Sequence, residues 1–240
     1  MCNFDLIQPV EVFVTCNAAW HCGRMKHAET VTFGGSGLDR AALERGSVDA
    51  LWQKDAARSL VLWQGKPLVT VGKNGLVFLP SNHPMMRDAA PDRVFLGRSE
   101  NAPIFAVDLS GWTPQGDAAE TLNTFLDPSE QVHPTLLDGS VFAELRAIMT
   151  GLSPRDAELA ATARGIFGWH ATHRFCSTCG VLSDFAMGGW QRNCPDCTRS
   201  HFPRTDPVVI MLITDNDDNV LVGRSPGWPL CMYSLLAGFV

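Results

Sequence analysis

No stretch of this 240-residue chain holds the roughly 20 consecutive apolar residues that a bilayer-spanning helix needs. The N-terminal run, MCNFDLIQPVEVFV, lacks the basic start, unbroken apolar centre and small-residue cleavage site of a secretory signal. A cytoplasmic location with no membrane partner is therefore the expectation. Charge is also scarce: Asp, Glu, Lys and Arg make up 18% of residues, and the net charge is −6 with a pI near 5.6. A broad electrostatic footprint for nucleic acid is missing, because that requires a basic face. No internal repeat or low-complexity segment is evident. A dinucleotide fingerprint is absent too. Gly34, Gly35 and Gly37 in FGGSGLDR do not make G-x-G-x-x-G, and no clear strand feeds them, so the segment reads as a flexible turn.

What is present is a chain able to fill a core, with 45% hydrophobic residues, and rich in turns, with 15 prolines and 21 glycines. Its length suits one large domain or two smaller ones. Helical character follows the glycine-rich turn as far as Lys54. From Ser59 the pattern changes to short apolar runs separated by turns: SLVLW, PLVTV and LVFL, then Arg93–Leu96 and Ile104–Asp108. These predict a small antiparallel meander, with helices near Asp117–Phe125 and Ser140–Met149. Ser153-Pro154-Arg155-Asp156 supplies a serine cap, a proline at the first helical position and an acid three residues after the cap, predicting a helix to about residue 171. Asp156 and Glu158 suit its dipole without any catalytic role. His170 and His173 could share a face near its end; histidine is favourable there, and metal ligation is the alternative. Domain boundaries are expected near Pro128–Pro134 and at Arg174.

Eight cysteines in a reducing compartment point to metal rather than disulfides. Cys2, Cys16, Cys22 and Cys231 are scattered and read as plain thiols, and His21–Cys22 has no second pair to complete a site. The other four form Cys176-x2-Cys179 and Cys194-x2-Cys197, with fourteen residues between the pairs. Each C-x2-C turn sets two sulfurs on one side of a tight loop. Two facing turns make a tetrahedral four-sulfur site suited to zinc, closed to a catalytic water and hence structural. The intervening residues are enough for a hairpin, giving a zinc ribbon. An iron–sulfur centre or a redox dithiol is the competing reading. Around it, Arg174, Arg192, Arg199 and Arg204 outnumber Asp184 and Asp196, a weak positive patch compatible with a phosphate-bearing ligand.

After the ribbon, VVIMLIT from Val208 predicts a buried strand, NVLVG a second strand in a hairpin, and Tyr233–Leu236 a third that leads into Ala237-Gly238-Phe239-Val240. DNDDN between the first two fails as a calcium loop. Val220 stands at its glycine position and Pro226 at its bidentate acid, so it reads as a turn.

The ordered set FGGSGLDR, LWQGKPLV (Leu62–Val69), WHATHRFCSTCG (Trp169–Gly180), GGWQRNCPDC (Gly188–Cys197), HFPRTDPVVIML (His201–Leu212) and MYSLLAGFV (Met232–Val240) resembles the NADH pyrophosphatase branch of the Nudix hydrolases. The resemblance implies an α+β protein with an N-terminal Nudix-like mixed α/β domain (1–130), a helical connector (131–173), a four-cysteine zinc ribbon (174–203) and the first strands of a Nudix α/β/α domain (204–240). It implies hydrolysis of the pyrophosphate of NAD(H) to nicotinamide mononucleotide and AMP, with NAD-capped RNA as a further substrate. It also implies Mg2+ or Mn2+ on Nudix-box glutamates, structural zinc, and a homodimer. Gly238 matches the first glycine of the box G-x5-E-x7-R-E-U-x-E-E-x-G-U. The expectation is a chain cut before its catalytic carboxylates and inactive alone, since neither Arg155-Asp156-Ala157-Glu158 nor Glu144-Leu145-Arg146 replaces them. By the same resemblance, the Ala237 backbone carbonyl would help hold the catalytic metal, and Phe202 and Phe239 would contact substrate, where core packing is the plainer reading of both rings. A non-catalytic ribbon module binding nucleotide or RNA, and a redox protein built on the C-x2-C pairs, are the rival functions.

Overall fold

A computed structural model of the chain describes residues 33–114, 129–136, 139–217, 219–226, 228 and 231–240. Cys2, Cys16, His21, Cys22 and the helix expected at Asp117–Phe125 lie outside them.

The apolar runs after Ser59 do form strands. β1 (Arg58–Trp63), β2 (Lys66–Val69), β3 (Phe78–Pro80), β4 (Arg93–Ser99), β5 (Ala102–Asp108) and β6 (Val141–Phe142) make one six-stranded sheet in the order β4-β5-β1-β2-β6. β3 pairs with β1 along Arg58–Leu60, whereas β2 pairs with it at Leu62 and Trp63. The expected meander is corrected at two seams: β3 pairs with β1, and β1 and β5 run parallel, Arg58 opposite Ile104 through Leu62 opposite Asp108. The reason lies in burial. SLVLW is apolar at every position after Ser59, so it suits a central strand covered on both faces rather than one half-open to water. Leu60 and Leu62 pack on one side with Val94, Leu96 and Ala106; Val61 and Trp63 pack on the other with Leu68 and Phe142.

A 3-10 turn (Ala42–Ser47) and α1 (Val48–Trp52) follow the glycine-rich segment. The helix expected at Ser140–Met149 is instead β6, which pairs Phe142 with Leu68, followed by the short α2 (Leu145–Ile148). Sheet pairing of Val141 and Phe142 outweighs helix propensity there. α3 (Pro154–Thr172) begins where the sequence requires: Ser153 Oγ accepts from the Asp156 N–H at 3.1 Å, and Pro154 opens the first turn. Its Leu159, Ala160, Ala163 and Ile166 lie on the Leu60–Leu62 face of the sheet. The two acids of its first turns reach further than the helix dipole alone requires. Asp156 Oδ2 accepts from the Leu76 N–H at 3.1 Å, while Glu158 takes the Ser36 N–H and pairs with Arg40, tying the glycine-rich segment to the helix.

Beyond α3 stands a three-stranded sheet, β7 (Asp184–Ala186), β8 (Gln191–Asn193) and β9 (Ser200–His201), all antiparallel. The last elements are β10 (Val208–Met211) and β11 (Leu236–Phe239), an antiparallel pair whose residues are all exposed. The strand expected at Tyr233–Leu236 is therefore displaced towards the C-terminus. NVLVG makes no strand; Thr214–Val220 and Gly223–Ser234 meet only as single bridges. The DNDDN segment is a turn, with Asp215 Oδ1 accepting the N–H groups of Asp217 and Asn219. Among the described residues no helix is long and apolar enough to cross a membrane.

Candidate metal centre

Two turns of the same design carry the four cysteines. In the first, the Gly180 N–H returns to the Cys176 carbonyl at 2.9 Å and the Thr178 N–H points at Cys176 Sγ at 3.4 Å. In the second, the Thr198 N–H returns to the Cys194 carbonyl at 3.1 Å and the Cys197 N–H points at Cys194 Sγ at 3.5 Å. The residue four after each leading cysteine is left-handed: Gly180 at φ 77°, Thr198 at φ 59°. Glycine adopts that conformation freely; threonine does so against its β-branch. β7 and β8 connect the turns, and β8–β9 pairing brings the second beside the first.

The four sulfurs lie within 4.8 Å of one another, with Cys179–Cys194 at 3.4 Å, Cys176–Cys197 at 3.5 Å and Cys179–Cys197 at 3.6 Å. A tetrahedron of thiolates around zinc, each bond near 2.3 Å, has edges of about 3.8 Å. The donor set fits the ion with little adjustment. The titration of the bare cluster points the same way. The Cys179 backbone N–H, aided by that of Thr178 and by His201, pulls the Cys176 thiol down to about 5. Cys179, despite the lowering N–H of Val181, is pushed up to about 12 by the neighbouring Cys194 thiol and by burial. A lowered Cys176 thiol thus stands beside raised Cys179 and Cys197 thiols, and a divalent cation at the centre favours the thiolate form that metal binding needs. With every position taken by sulfur, none is open for a reacting water.

The cluster is bolted to the six-stranded sheet. Gly188 and Gly189, both at positive φ, let the β7–β8 connection lie against β4 and α1. A Cβ on Gly189 would stand 2.9 Å from Val94 Cγ2 and 3.2 Å from Val94 Cα, and one on Gly188 would stand 2.8 Å from Val48 Cγ1. Trp190 Nε1 donates to the Phe95 carbonyl at 2.7 Å, and the Arg45 guanidinium covers the Trp190 ring at 4.3 Å. His170 is buried. Its Nε2 donates to the Gly189 carbonyl at 2.9 Å, so its Nδ1 is the acceptor for Arg192 Nη1, also at 2.9 Å. Burial lowers the His170 pKa below its ordinary value, against the Gly189 carbonyl, which raises it, and with the Arg192 charge, which lowers it. Both ring nitrogens are engaged, so the metal alternative for His170 has no support in this geometry.

Arg192 corrects the patch inferred from counting arginines. It is buried, held by Ser183 through Oγ at 2.9 Å and through the carbonyl, and is unavailable to a phosphate at the surface. Arg204 is exposed but paired with Asp206 at 2.7 Å. The rings expected to contact substrate are not core residues: Phe202 is 64% and Phe239 81% exposed. Phe202 lies on the wall of a groove of about 450 Å3 shared with Trp169, His173, Phe175, His201 and Arg204. Phe239 stands on β11 opposite Val208, and Ala237 opposite Ile210. The sequence reading missed Gly188, Gly189, Trp190 and His201 as site-building residues. The signal available was the Gly-Gly-Trp triplet inside a cysteine motif, where two bulky-residue positions are given up to allow close approach.

Comparison with known proteins accords with this geometry. Residues 56–169 match the NADH pyrophosphatase-like rudimentary NUDIX domain, and residues 171–202 match the NADH pyrophosphatase zinc ribbon domain. The chain belongs to the NADH pyrophosphatase-type Nudix proteins. Among relatives of this Nudix family, the human mitochondrial NAD(P)H pyrophosphatase NUDT13 is 36% identical over 149 residues, covering 62% of this chain and 40% of its own. The NAD-capped RNA hydrolase NudC of Mycobacterium tuberculosis is 29% identical over 205 residues, covering 85% and 59%. The human NAD-capped RNA hydrolase NUDT12 is 28% identical over 232 residues, covering 85% and 50%. The chain thus spans between two fifths and three fifths of the length of these Nudix relatives.

Proposed function

We propose that this chain supplies the Nudix-like and zinc-ribbon parts of an NAD(H) pyrophosphohydrolase that yields nicotinamide mononucleotide and AMP, with NAD-capped RNA as a further substrate. The observation that carries the reading is a closed four-sulfur ribbon docked through Gly189 and Trp190 onto a Nudix-like sheet, in a chain whose relatives are named as NAD(P)H pyrophosphatase and NAD-capped RNA hydrolases. Zinc at Cys176, Cys179, Cys194 and Cys197 is structural in this reading. The reaction itself calls for Mg2+ or Mn2+ to neutralise the pyrophosphate and activate water. The Ala237 carbonyl is proposed to assist that metal, and Phe202 and Phe239 to meet the substrate's rings. Division near residues 130, 173 and 203, a homodimeric assembly and a cytoplasmic location belong to the same proposal.

No carboxylate set with the spacing of the Nudix box follows Gly238 within the 240 residues. Hydrolysis is therefore proposed for a protein carrying these domains together with such a box, and no turnover for the 240-residue chain alone. The test is chromatographic assay of NADH with Mn2+. The 240-residue chain should leave NADH intact, and an in-frame product carrying the box glutamates should release nicotinamide mononucleotide and AMP. A box-bearing product inert towards NADH, NAD and capped RNA would overturn the reading. The second reading, binding of nucleotide or RNA without turnover, draws on the groove beside Phe202, whose ionisable walls (His173, His201 and Arg204) carry no acid. It requires retention of NAD or capped RNA by the 240-residue chain itself, falling with salt.

A further inference from the structure

Three segments meet around the groove of about 450 Å3 beside the ribbon: the end of α3 with Trp169 and His173, the first cysteine turn with Phe175 and Ser177, and the stretch after β9 with Phe202 and Arg204. That volume falls in the range of roughly 300–1,000 Å3 usual for ligand sites. Its rings are unequally used. Trp169 is buried and lies near His173, the ring centroids 6.5 Å apart and 30° from parallel. Thr172 Oγ1 donates to the Gly168 carbonyl at 2.8 Å, so His173 Nδ1 donates to that oxygen at 2.9 Å and the neutral ring keeps Nε2 as an acceptor. Phe175 and Phe202 instead stand 63% and 64% exposed, and neither joins a core cluster among the described residues. One exposed ring is ordinary, but two on the wall of one groove make a stacking surface.

Charge and hydrogen bonding narrow the occupant. No Asp or Glu lines the groove, and Arg204 does. The Arg204–Asp206 pair engages Nε, and the two side chains are 68% and 45% exposed. An exposed pair of that kind holds weakly, and the guanidinium keeps further N–H donors for a phosphate. Exposed rings beside a guanidinium suit a single strand, whose unstacked bases are open to stacking while its phosphates take the cation. A duplex hides the same base faces. The His173 acceptor suits a ribose 2′-hydroxyl, which deoxyribose lacks. With a net charge of −6, the chain supplies no long-range attraction, so stacking has to provide most of the hold. We propose that this groove binds single-stranded RNA, with Phe175 stacking on the base of a nucleotide that follows the cap and Arg204 meeting its phosphate. The inference rests on the capped-RNA reading given above. It separates the two rings: Phe202 serves the cap, and Phe175 the strand behind it.

The test uses the full 240-residue chain, loaded with zinc, and a fluorescein-labelled, uncapped and unstructured RNA of about ten nucleotides. Anisotropy should rise on titration, with a shallow log–log salt slope of about −1 to −2. The same sequence as a duplex, or as single-stranded DNA, should compete roughly tenfold less well. No rise at any attainable protein concentration, or equal competition by the duplex or the DNA, overturns the proposal. Phe175→Ser should weaken binding roughly tenfold, whereas Phe175→Tyr should keep the parent affinity. Arg204→Gln should reduce the salt slope by about 1. Unchanged affinity in a Phe175→Ser protein that still holds stoichiometric zinc contradicts the inference. If that variant does not fold, photocrosslinking of 4-thiouridine RNA to the parent decides: adducts on the peptide carrying Phe175 support the groove, and adducts confined elsewhere overturn it. NADH turnover by the box-bearing product, with no RNA retained by the 240-residue chain, overturns this proposal and leaves the hydrolase reading standing. RNA retained by the chain beside an inert box-bearing product does the reverse.

Discussion

Gly189 shows how much one residue position holds. Its φ of 89° and the 2.9 and 3.2 Å gaps to Val94 leave no room for a methyl group. Gly189→Ala is expected to cost about 2–4 kcal/mol, from left-handed strain together with overpacking against backbone. A denaturant midpoint unchanged within error would show that the junction is looser than described. His170 makes a pH prediction at the same scale. Its folded-state pKa is depressed from the ordinary 6.5, chiefly by burial. The unfolded chain therefore takes up a proton, near pH 6.5 and below, that the folded chain refuses. Stability from this residue is fully present above that pH and is lost as the pH falls towards the depressed value. His170→Gln can donate to the Gly189 carbonyl and accept from Arg192 without titrating. Urea midpoints between pH 7.5 and 6 should fall less steeply in that variant than in the parent, and parallel slopes would refute the assignment.

At the level of elements, β10 and β11 stand out because nothing among the described residues covers them. Val208, Val209, Ile210, Met211, Leu212 and Phe239 are all exposed, and a two-stranded hairpin is marginal by itself. Contiguous apolar surface and open strand edges favour association. The 240-residue chain is expected to elute as concentration-dependent oligomers, and Val209→Lys with Ile210→Glu should shift it towards monomer. Clean monomeric elution of the parent at high concentration would contradict this. α3 offers the contrast. Its cap and its first proline are legible from Ser153–Asp156 because helix starts are decided locally. The use of Glu158 to hold Ser36 and Arg40 is not legible, because the partners are 122 and 118 residues away.

Across the whole molecule there are two centres of stability, an apolar core on both faces of the six-stranded sheet and a sulfur cluster in the ribbon. They meet through few groups: Trp190 to Phe95, Arg45 over Trp190, and the His170–Gly189–Arg192 set. Removal of zinc by chelator is expected to open the ribbon locally, because metal binding free energy is folding free energy there. Hydrogen exchange should show amides of 175–201 losing protection while those of β1, β4 and β5 keep theirs. Loss of protection in both at once would mean that the junction makes them a single cooperative unit.

The sequence by itself determined the four-cysteine centre, because C-x2-C turns are local and their spacing alone brings sulfurs together. It also determined the apolar strands and the start of α3, for the same reason. Tertiary structure decided the parallel pairing of β1 with β5, the conversion of Val141–Phe142 from expected helix to strand, and the burial of Arg192. Each of those depends on which segment lies alongside which, and a strand's partner or a side chain's burial is set by residues tens of positions away. The motif names the four sulfur ligands; only the packing shows what holds the ribbon against the sheet.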